Sequence, residues 1–351
     1  MRKKLMFLMA FVLMFGLVGT TSAVSYWNGS GTQSWTDPCS WTGGVPGAAD
    51  NAYIEAAVPG AIIDYTMNLG ISKVAVGYNV AGDAYLYMYG GTLNVDDRVY
   101  VGGEKGNKSS NGNFIMEFGT INLTGVVSNE RKFYIGYKGP NDKGYFTMNG
   151  GTINNAGKFY IAGDSATSPY GVMTMNGGTV NINGGSSIRM RIAGKGGTGY
   201  LYMNGGTIHS TDDINMSEEG GYGYLYMTGG NIIADGDFQL AYKATAGSIS
   251  EVHLDGGIID VGNLTFYKSA DPAATASFDI TLGTLLVSGD VVSVIQGFVD
   301  SALITAYGGT GNVLINYHAG WDKTVVNAII PEPATIALLG LGGLALLRRR
   351  K

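Results

Sequence analysis

Short runs in which apolar and polar residues alternate recur along most of the chain. Each run leads into a phrase centred on Gly-Gly-Thr or a variant of it, and a second alternating run follows. The five strongest copies are Tyr85–Val95, Tyr145–Asn154, Val172–Ile182, Tyr200–Ser210 and Tyr224–Ala234, and the weaker ones are Phe114–Leu123, Glu251–Val261 and Phe278–Val287. Their spacing of roughly 24 to 32 residues predicts a repeat protein.

A third alternating run precedes each copy, as at Arg98–Val101 and Lys132–Ile135. Successive side chains of a strand point to opposite sides, so each strand contributes one apolar column to an interior. Three short strands per turn predict an all-β fold, a single-stranded parallel β-helix of about eight turns over residues 67–287. A propeller is the alternative, but its blades need four strands and roughly 40 residues.

The segments that flank the repeats are predicted to be β caps, over residues 24–66 and 288–330. An open end of a solenoid exposes unpaired strand edges, so a cap is needed. We expect Trp27, Trp35 and Trp41 to form an apolar plug rather than a sugar-stacking platform. Cys39 is the single cysteine, which excludes an intramolecular disulfide, and we expect a buried thiol rather than a bond between chains.

The first residues have the layout of a secretory signal peptide. Met1–Ala23 begins with Arg and Lys, continues through an apolar run and ends in small residues, which predicts cleavage by signal peptidase after Ala23. An N-terminal membrane anchor is the alternative, but the apolar run is short for a membrane span.

The last residues combine three features in a fixed order. Pro331, Glu332 and Pro333 precede an apolar run from Ala334 to Leu347, and a basic end follows it. The basic residues are Arg348, Arg349, Arg350 and Lys351. A short transmembrane helix is predicted in the apolar run, with the basic end on the cytoplasmic side.

This C-terminal arrangement resembles the PEP-CTERM sorting signal, and the repeats resemble those of autotransporter passenger domains. The first resemblance implies export in a Gram-negative-type bacterium and transient tethering to the inner membrane. It also implies processing by an exosortase near Pro331–Pro333 and release to the cell surface or extracellular matrix. A plain C-terminal membrane anchor is the alternative.

Composition and charge favour an exported rod without catalysis. The chain has 57 Gly and 14% charged residues, which suits repeated corners more than a packed enzyme. Without the two terminal segments its formal charge falls from −5 to about −11, which argues against a nucleic-acid partner. No cofactor or metal is predicted, because the three histidines, His209, His253 and His318, are scattered. Three carboxylate pairs are expected to be solvated corners: Asp96 and Asp97, Asp212 and Asp213, and Glu218 and Glu219.

Two outward-facing patterns are candidate binding surfaces. One is a face of tyrosines suited to sugar rings: Tyr85, Tyr87, Tyr200, Tyr202, Tyr224 and Tyr226. The other is a ladder of Thr and Asn that begins at Thr92 and Asn94, which resembles the ice-binding faces of some solenoids. Thr also suits a strand and Asn a corner, so the ladder has a purely structural explanation as well.

The sequence therefore favours a structural or adhesive β-helix protein of the bacterial surface or of the extracellular polysaccharide matrix. The alternatives are a carbohydrate-binding module that uses the tyrosine face, a polysaccharide lyase or hydrolase, and an ice-binding rod. Of these, an enzyme would need clustered carboxylates or basic residues in a groove.

Overall fold

The repeats stack so that short strands of successive turns pair in parallel, as a computed structural model of the chain shows. The structure describes residues 23–29, 31, 33–55, 60–78, 81–103, 110–125, 131–138, 142–163, 168–183, 190–243, 245, 247–266 and 274–330. About 58% of the described residues are in strands, and the predicted parallel β-solenoid is confirmed, with about nine turns.

The first half of the chain supplies fourteen strands. They are β1 (Val24–Trp27), β2 (Gln33–Ser34), β3 (Asn51–Ile54), β4 (Ala61–Ile63), β5 (Asn68–Val76), β6 (Gly82–Met88), β7 (Thr92–Val101), β8 (Ser110–Met116), β9 (Thr120–Leu123), β10 (Lys132–Ile135), β11 (Lys143–Met148), β12 (Thr152–Asn155), β13 (Lys158–Ile161) and β14 (Tyr170–Met175).

The second half supplies the same number of strands and the α-helix of the described residues. They are β15 (Thr179–Ile182), β16 (Met190–Ile192), β17 (Thr198–Met203), β18 (Thr207–Ser210), β19 (Ile214–Met216), β20 (Tyr222–Met227), β21 (Asn231–Leu240), β22 (Ile249–Leu254), β23 (Ile258–Phe266), β24 (Thr275–Ile280), β25 (Thr284–Ser288), α1 (Val292–Asp300), β26 (Ile304–Ala306), β27 (Asn312–His318) and β28 (Lys323–Ile329). Single 3-10 turns lie at Pro38–Ser40 and Tyr307–Gly309.

The strands form two sheets. Sheet II contains the first strand of every turn, in the order β2-β4-β6-β8-β11-β14-β17-β20-β22-β24-β26, and sheet I contains the other seventeen. In β5, β7, β21 and β23 the second and third strands of a turn are continuous. Where the connection is longer, as between β9 and β10, the two strands are separate.

Like residues stack on like residues in the interior. Sheet II pairs Leu201 with Leu225 and Met203 with Met227 in register, and all four are fully buried. The predicted inward columns of the first and third strands are buried throughout, except that Phe266 is half-buried. Since adjacent strands lie about 4.8 Å apart, eleven strands make a rod roughly 50 Å long.

A left-handed glycine forms the corner after seven successive first strands, from β6 to β22. Gly178 has a φ of +85°, and a Cβ there would lie 2.6 Å from the carbonyl oxygen of Gly151 and from the Cε of Met148. Both the backbone conformation and the lack of space therefore require glycine.

The N-terminal end is closed by the three early tryptophans. Trp27, Trp35 and Trp41 are at most 4% exposed, and the ring of Trp41 lies 5.1 Å and 4.8 Å from the other two. The solenoid ladder already starts in this segment, where β1 pairs in parallel with β3 and β2 with β4. These strands account for the additional turn.

The expectation of a buried Cys39 thiol is wrong, since this cysteine is exposed and free. It lies in the 3-10 turn Pro38–Ser40, where its backbone N–H donates to Asp37 Oδ1 at 3.0 Å. Ser40 is the residue of that turn whose side chain is buried. The turn therefore directs Cys39 toward solvent.

The C-terminal end differs from the β cap that the sequence predicts. The run Val291–Val299 has an alternating start but forms most of α1. Ile295 is buried, and Val291, Phe298 and Val299 pack against the core. Their three- and four-residue spacing places them on one helical face, which the initial alternation concealed. Beyond α1, the antiparallel hairpin of β27 and β28 completes sheet I.

Candidate functional site

The outer face of sheet II holds the tyrosines singled out in the sequence. Exact register places Tyr200 beside Tyr224 and Tyr202 beside Tyr226, because β17 and β20 have matching sequences. The ring centroids are 4.8 Å apart in the first pair and 5.3 Å in the second, with nearly parallel planes. Tyr200 and Tyr202 also stack, at 6.1 Å along the strand. We call these four residues the tyrosine array.

The structure places the other two predicted tyrosines apart from this array. Tyr85 and Tyr87 lie on β6, four strand positions from β17 in sheet II. Their rings stack at 6.0 Å, and Tyr89 continues the row at 6.2 Å from Tyr87. The six predicted residues therefore share one face but form two separate groups.

Three aromatic residues that the sequence reasoning missed extend the tyrosine array. His253 stacks on Tyr226 at 4.9 Å, and Tyr170 lies 5.8 Å from Tyr200 and 6.2 Å from Tyr145. Val172 occupies the register position beside Tyr200, and Tyr170, two residues earlier in β14, fills the gap with its ring. The shared phrase already aligns His253 with Tyr226, because each residue lies four positions before the second glycine of its copy.

The stacking of the rings determines which parts of the tyrosine array a ligand can contact. The rings cover one another's faces, so the array presents ring edges and hydroxyl groups. Sugars stack on exposed aromatic faces, and the array offers such faces only at its ends. Its central surface suits hydrogen bonding rather than stacking.

Tyr170, Tyr224 and Tyr226 of this face stay protonated at neutral pH. Burial raises the pKa of Tyr224 and Tyr226, and repulsion from neighbouring phenols and from Glu251 raises it further. Burial is also the main cause that raises the pKa of Tyr170, and the nearby Tyr145 raises it further. Each hydroxyl is therefore available as a donor and an acceptor.

The outward Asn residues of the Thr-Asn ladder bond to one another. The side-chain amide of Asn122 donates to Asn94 Oδ1 at 2.9 Å, Asn154 donates to Asn122 at 2.9 Å, and Asn181 donates to Asn154 at 3.0 Å. A second row before the Gly-Gly corners runs from Glu117 through Asn149 and Asn176 to Asn204. These bonds join successive turns on the outside of the rod.

Several of the carboxylates and histidines weighed as ligands contact a neighbouring side chain. Glu218 pairs with Arg191, Glu219 with Lys195 at 2.9 Å, and Asp97 with Arg98 at 3.1 Å. His209 contacts Asp235 at 3.1 Å and His318 stacks on Trp321. No three His, Cys, Asp or Glu side chains of the described residues form a group that could hold a metal ion.

The segments predicted to direct export lie mostly outside the described residues. This applies to the signal peptide before Ala23 and to Pro331, Glu332, Pro333, Ala334, Leu347, Arg348, Arg349 and Arg350. Ala23 is the first described residue, and its backbone N–H donates to Asp50 Oδ1 at 2.9 Å. Within the described ranges, no helix has both the length and the apolar character needed to cross a membrane.

Comparison with known families identifies one segment. Residues 330–351 match the PEP-CTERM protein-sorting motif. The motif implies an exported, cell-surface-directed protein that is targeted by an exosortase. No curated protein and no solved structure matches the chain. The similarity of the repeats to autotransporter passengers therefore has no support from a family match.

Proposed function

We propose that this protein is a structural or adhesive β-helix rod of the bacterial cell surface or extracellular polysaccharide matrix and has no catalytic activity. The observation that carries the proposal is a uniform solenoid joined at its C-terminal end to a PEP-CTERM motif. The motif supplies the route out of the cell, and the exosortase is the processing partner. The inner membrane holds the chain transiently through the apolar run of the tail.

The regularity of the turns supports a structural role. Interior positions hold stacked apolar residues, and exterior positions hold amide rows and stacked rings that link one turn to the next. Such a rod is stabilised by contacts between neighbouring turns along its whole length. Its sides are left to contact a matrix.

A second candidate function is carbohydrate binding by the outer face of sheet II. The observation in favour is the convergence of Tyr200, Tyr202, Tyr224 and Tyr226 into one array. Because the ring faces are mutually covered, binding would act through the hydroxyl groups and ring edges.

Fractionation of a producing bacterium tests the proposed location and role. The chain is expected in the cell-surface and matrix fractions, and loss of the chain is expected to weaken cohesion of the matrix. Incubation with matrix polysaccharides is expected to leave their length unchanged. Shortened polysaccharide or an unsaturated lyase product would overturn the non-catalytic role, and a chain confined to the cytoplasm would overturn the location.

A further inference from the structure

A row of cations runs along one side of a protein that is otherwise acidic. Lys73, Arg98, Lys132 and Lys158 occupy the same register position in four successive turns. Neighbouring members are one strand spacing apart, about 4.8 Å. Like charges directly opposite one another on adjacent strands are destabilising, so each cation needs compensation.

Three members of the row have contacts that offset the repulsion between their positive charges. Arg98 pairs with Asp97 at 3.1 Å and donates to the Tyr100 hydroxyl at 3.3 Å. The ammonium groups of Lys73 and Lys132 each lie 5.9 Å from the centroid of a tyrosine ring, within the range of a cation–π contact. Their positive charge is thus stabilised locally.

Arg131, next to this row, is less completely satisfied. Its Nη1 donates to the carbonyl oxygen of Ala156 at 3.2 Å. Its Nε is buried and has no hydrogen-bond acceptor in the part of the chain that the structure describes. A buried N–H without an acceptor is destabilising, because it has lost its hydrogen bond to water.

Arg131 lines a cavity at the bend between the second and third strands. The cavity has a volume of about 260 Å³, and amide side chains dominate its polar lining: Asn122, Asn154, Asn155 and Asn183, with Thr124 beside them. Thr124 also donates to Asp96 Oδ1 at 3.2 Å. The size fits a single sugar residue, since it lies just below the usual range for small-ligand pockets.

We propose that this cavity binds one carboxylate- or sulfate-bearing residue of an acidic extracellular polysaccharide. An acid group accepts two N–H bonds from a guanidinium in bidentate geometry. It would turn the half-buried Arg131 side chain toward the cavity and supply the acceptor that Nε lacks. The amides of Asn122, Asn154 and Asn183, which reach the surface, would hydrogen-bond the sugar hydroxyl groups, and the row of cations favours a polyanion that continues along the rod.

The inference rests on the proposed role in a polysaccharide matrix and specifies the class of polysaccharide. The net charge of the rod, about −11 without its terminal segments, repels polyanions in general. Binding of a polyanion therefore requires a local site, and removal of one positive charge at that site should have a large effect.

Calorimetry with the full-length protein tests the site. The probes are an oligogalacturonate, which carries carboxylates, dextran sulfate, which carries sulfates, and neutral dextran. We expect one or both acidic probes to bind and neutral dextran not to bind. Arg131→Gln should weaken binding about tenfold or more, the effect of losing a hydrogen bond between charged groups. Arg131→Lys should weaken it in part, because the charge remains without the bidentate geometry.

Lys243→Gln is the matched control, since it removes the same charge from an exposed residue on a different turn. It should change the dissociation constant by less than twofold. Equal losses in both variants, equal binding of neutral dextran, or no binding of either acidic probe would overturn the site. None of these results would affect export or exosortase processing, so the site and the proposed function fail separately.

Discussion

At the residue scale, the corner glycines of this solenoid are fixed by two constraints that can be separated. Gly178 has a φ of +85° and almost no room for a Cβ, whereas Gly289 has a φ of +76° with nothing within 4 Å of a Cβ. The two positions share the backbone conformation and differ in the available space. They form a matched pair.

We expect Gly178→Ala to destabilise the protein more than Gly289→Ala. In both variants the left-handed conformation of a residue with a side chain lowers the unfolding free energy by about 1–2 kcal/mol. Gly178→Ala also forces the Gly151 carbonyl and the Met148 side chain to move, which should add about 1–3 kcal/mol. Urea unfolding followed by circular dichroism measures both. Equal losses would show that space at the corner does not matter.

At the element scale, the α-helix of the described residues, α1, covers the C-terminal end of the core. Ile295 of α1 is 1% exposed, and its neighbour Val294 is 49% exposed. Truncation of a buried Ile to Ala leaves a cavity and costs about 2–5 kcal/mol. Ile295→Ala should therefore lower the unfolding free energy by that amount, and Val294→Ala by less than about 0.5 kcal/mol. Similar effects in chemical denaturation would argue that α1 does not cover the core.

The tyrosine array permits a comparison between hydroxyl groups and rings. The double variant Tyr202→Phe, Tyr226→Phe keeps the stack and removes two hydroxyl groups, whereas the double alanine variant removes both features. If the face binds glycans by its hydroxyl groups, both variants should lose binding on a glycan array, and only the alanine variant should lose about 0.5–1.5 kcal/mol of stacking stability. Binding retained by the phenylalanine variant would instead indicate contact with the rings.

The elements show how far the sequence alone determines the fold. The alternation in runs such as Tyr200–Met203 predicts both the buried and the exposed column, because every turn repeats it with the same register. The other features of the fold depend on connections of unequal length between the strands, and the alternation does not predict them. These connections make β7 continuous and separate β9 from β10. The α1 segment resembles a strand in sequence, because its first residues alternate between apolar and polar.

The candidate sites were predictable to different degrees. Outward tyrosines follow from alternation, but mutual coverage of their rings depends on the spacing between strands and on rotamers. The Arg131 cavity depends on a bend between two strands and on side chains from three turns. No local sequence pattern marks such a place, so only the folded chain identifies it.

At the scale of the whole molecule, the outer tyrosines couple stability to alkaline pH. Burial raises the pKa of Tyr87, Tyr145, Tyr170, Tyr224 and Tyr226 above the ordinary value near 10. The folded state thus favours the protonated phenol. This contribution is complete below the unfolded pKa and is lost as the pH rises through the higher folded values.

We therefore expect the unfolding free energy to be insensitive to these groups below about pH 9 and to fall above about pH 10. Absorbance near the phenolate band should show that the folded protein ionises at higher pH than the unfolded chain. The Tyr202→Phe, Tyr226→Phe variant should show a smaller alkaline loss, since it lacks one of these groups and one of its neighbours. Coincident ionisation of the folded and unfolded chains would contradict the coupling.

The rod and its C-terminal motif together define the central claim, that the chain is exported and released by an exosortase. The most direct measurement is the intact mass and distribution of the chain between membrane and medium in a host with and without the cognate exosortase. The account predicts that only the host with the exosortase releases a chain shortened near Pro331–Pro333. A full-length chain kept in the membrane of both hosts would contradict it and leave a permanently anchored surface rod.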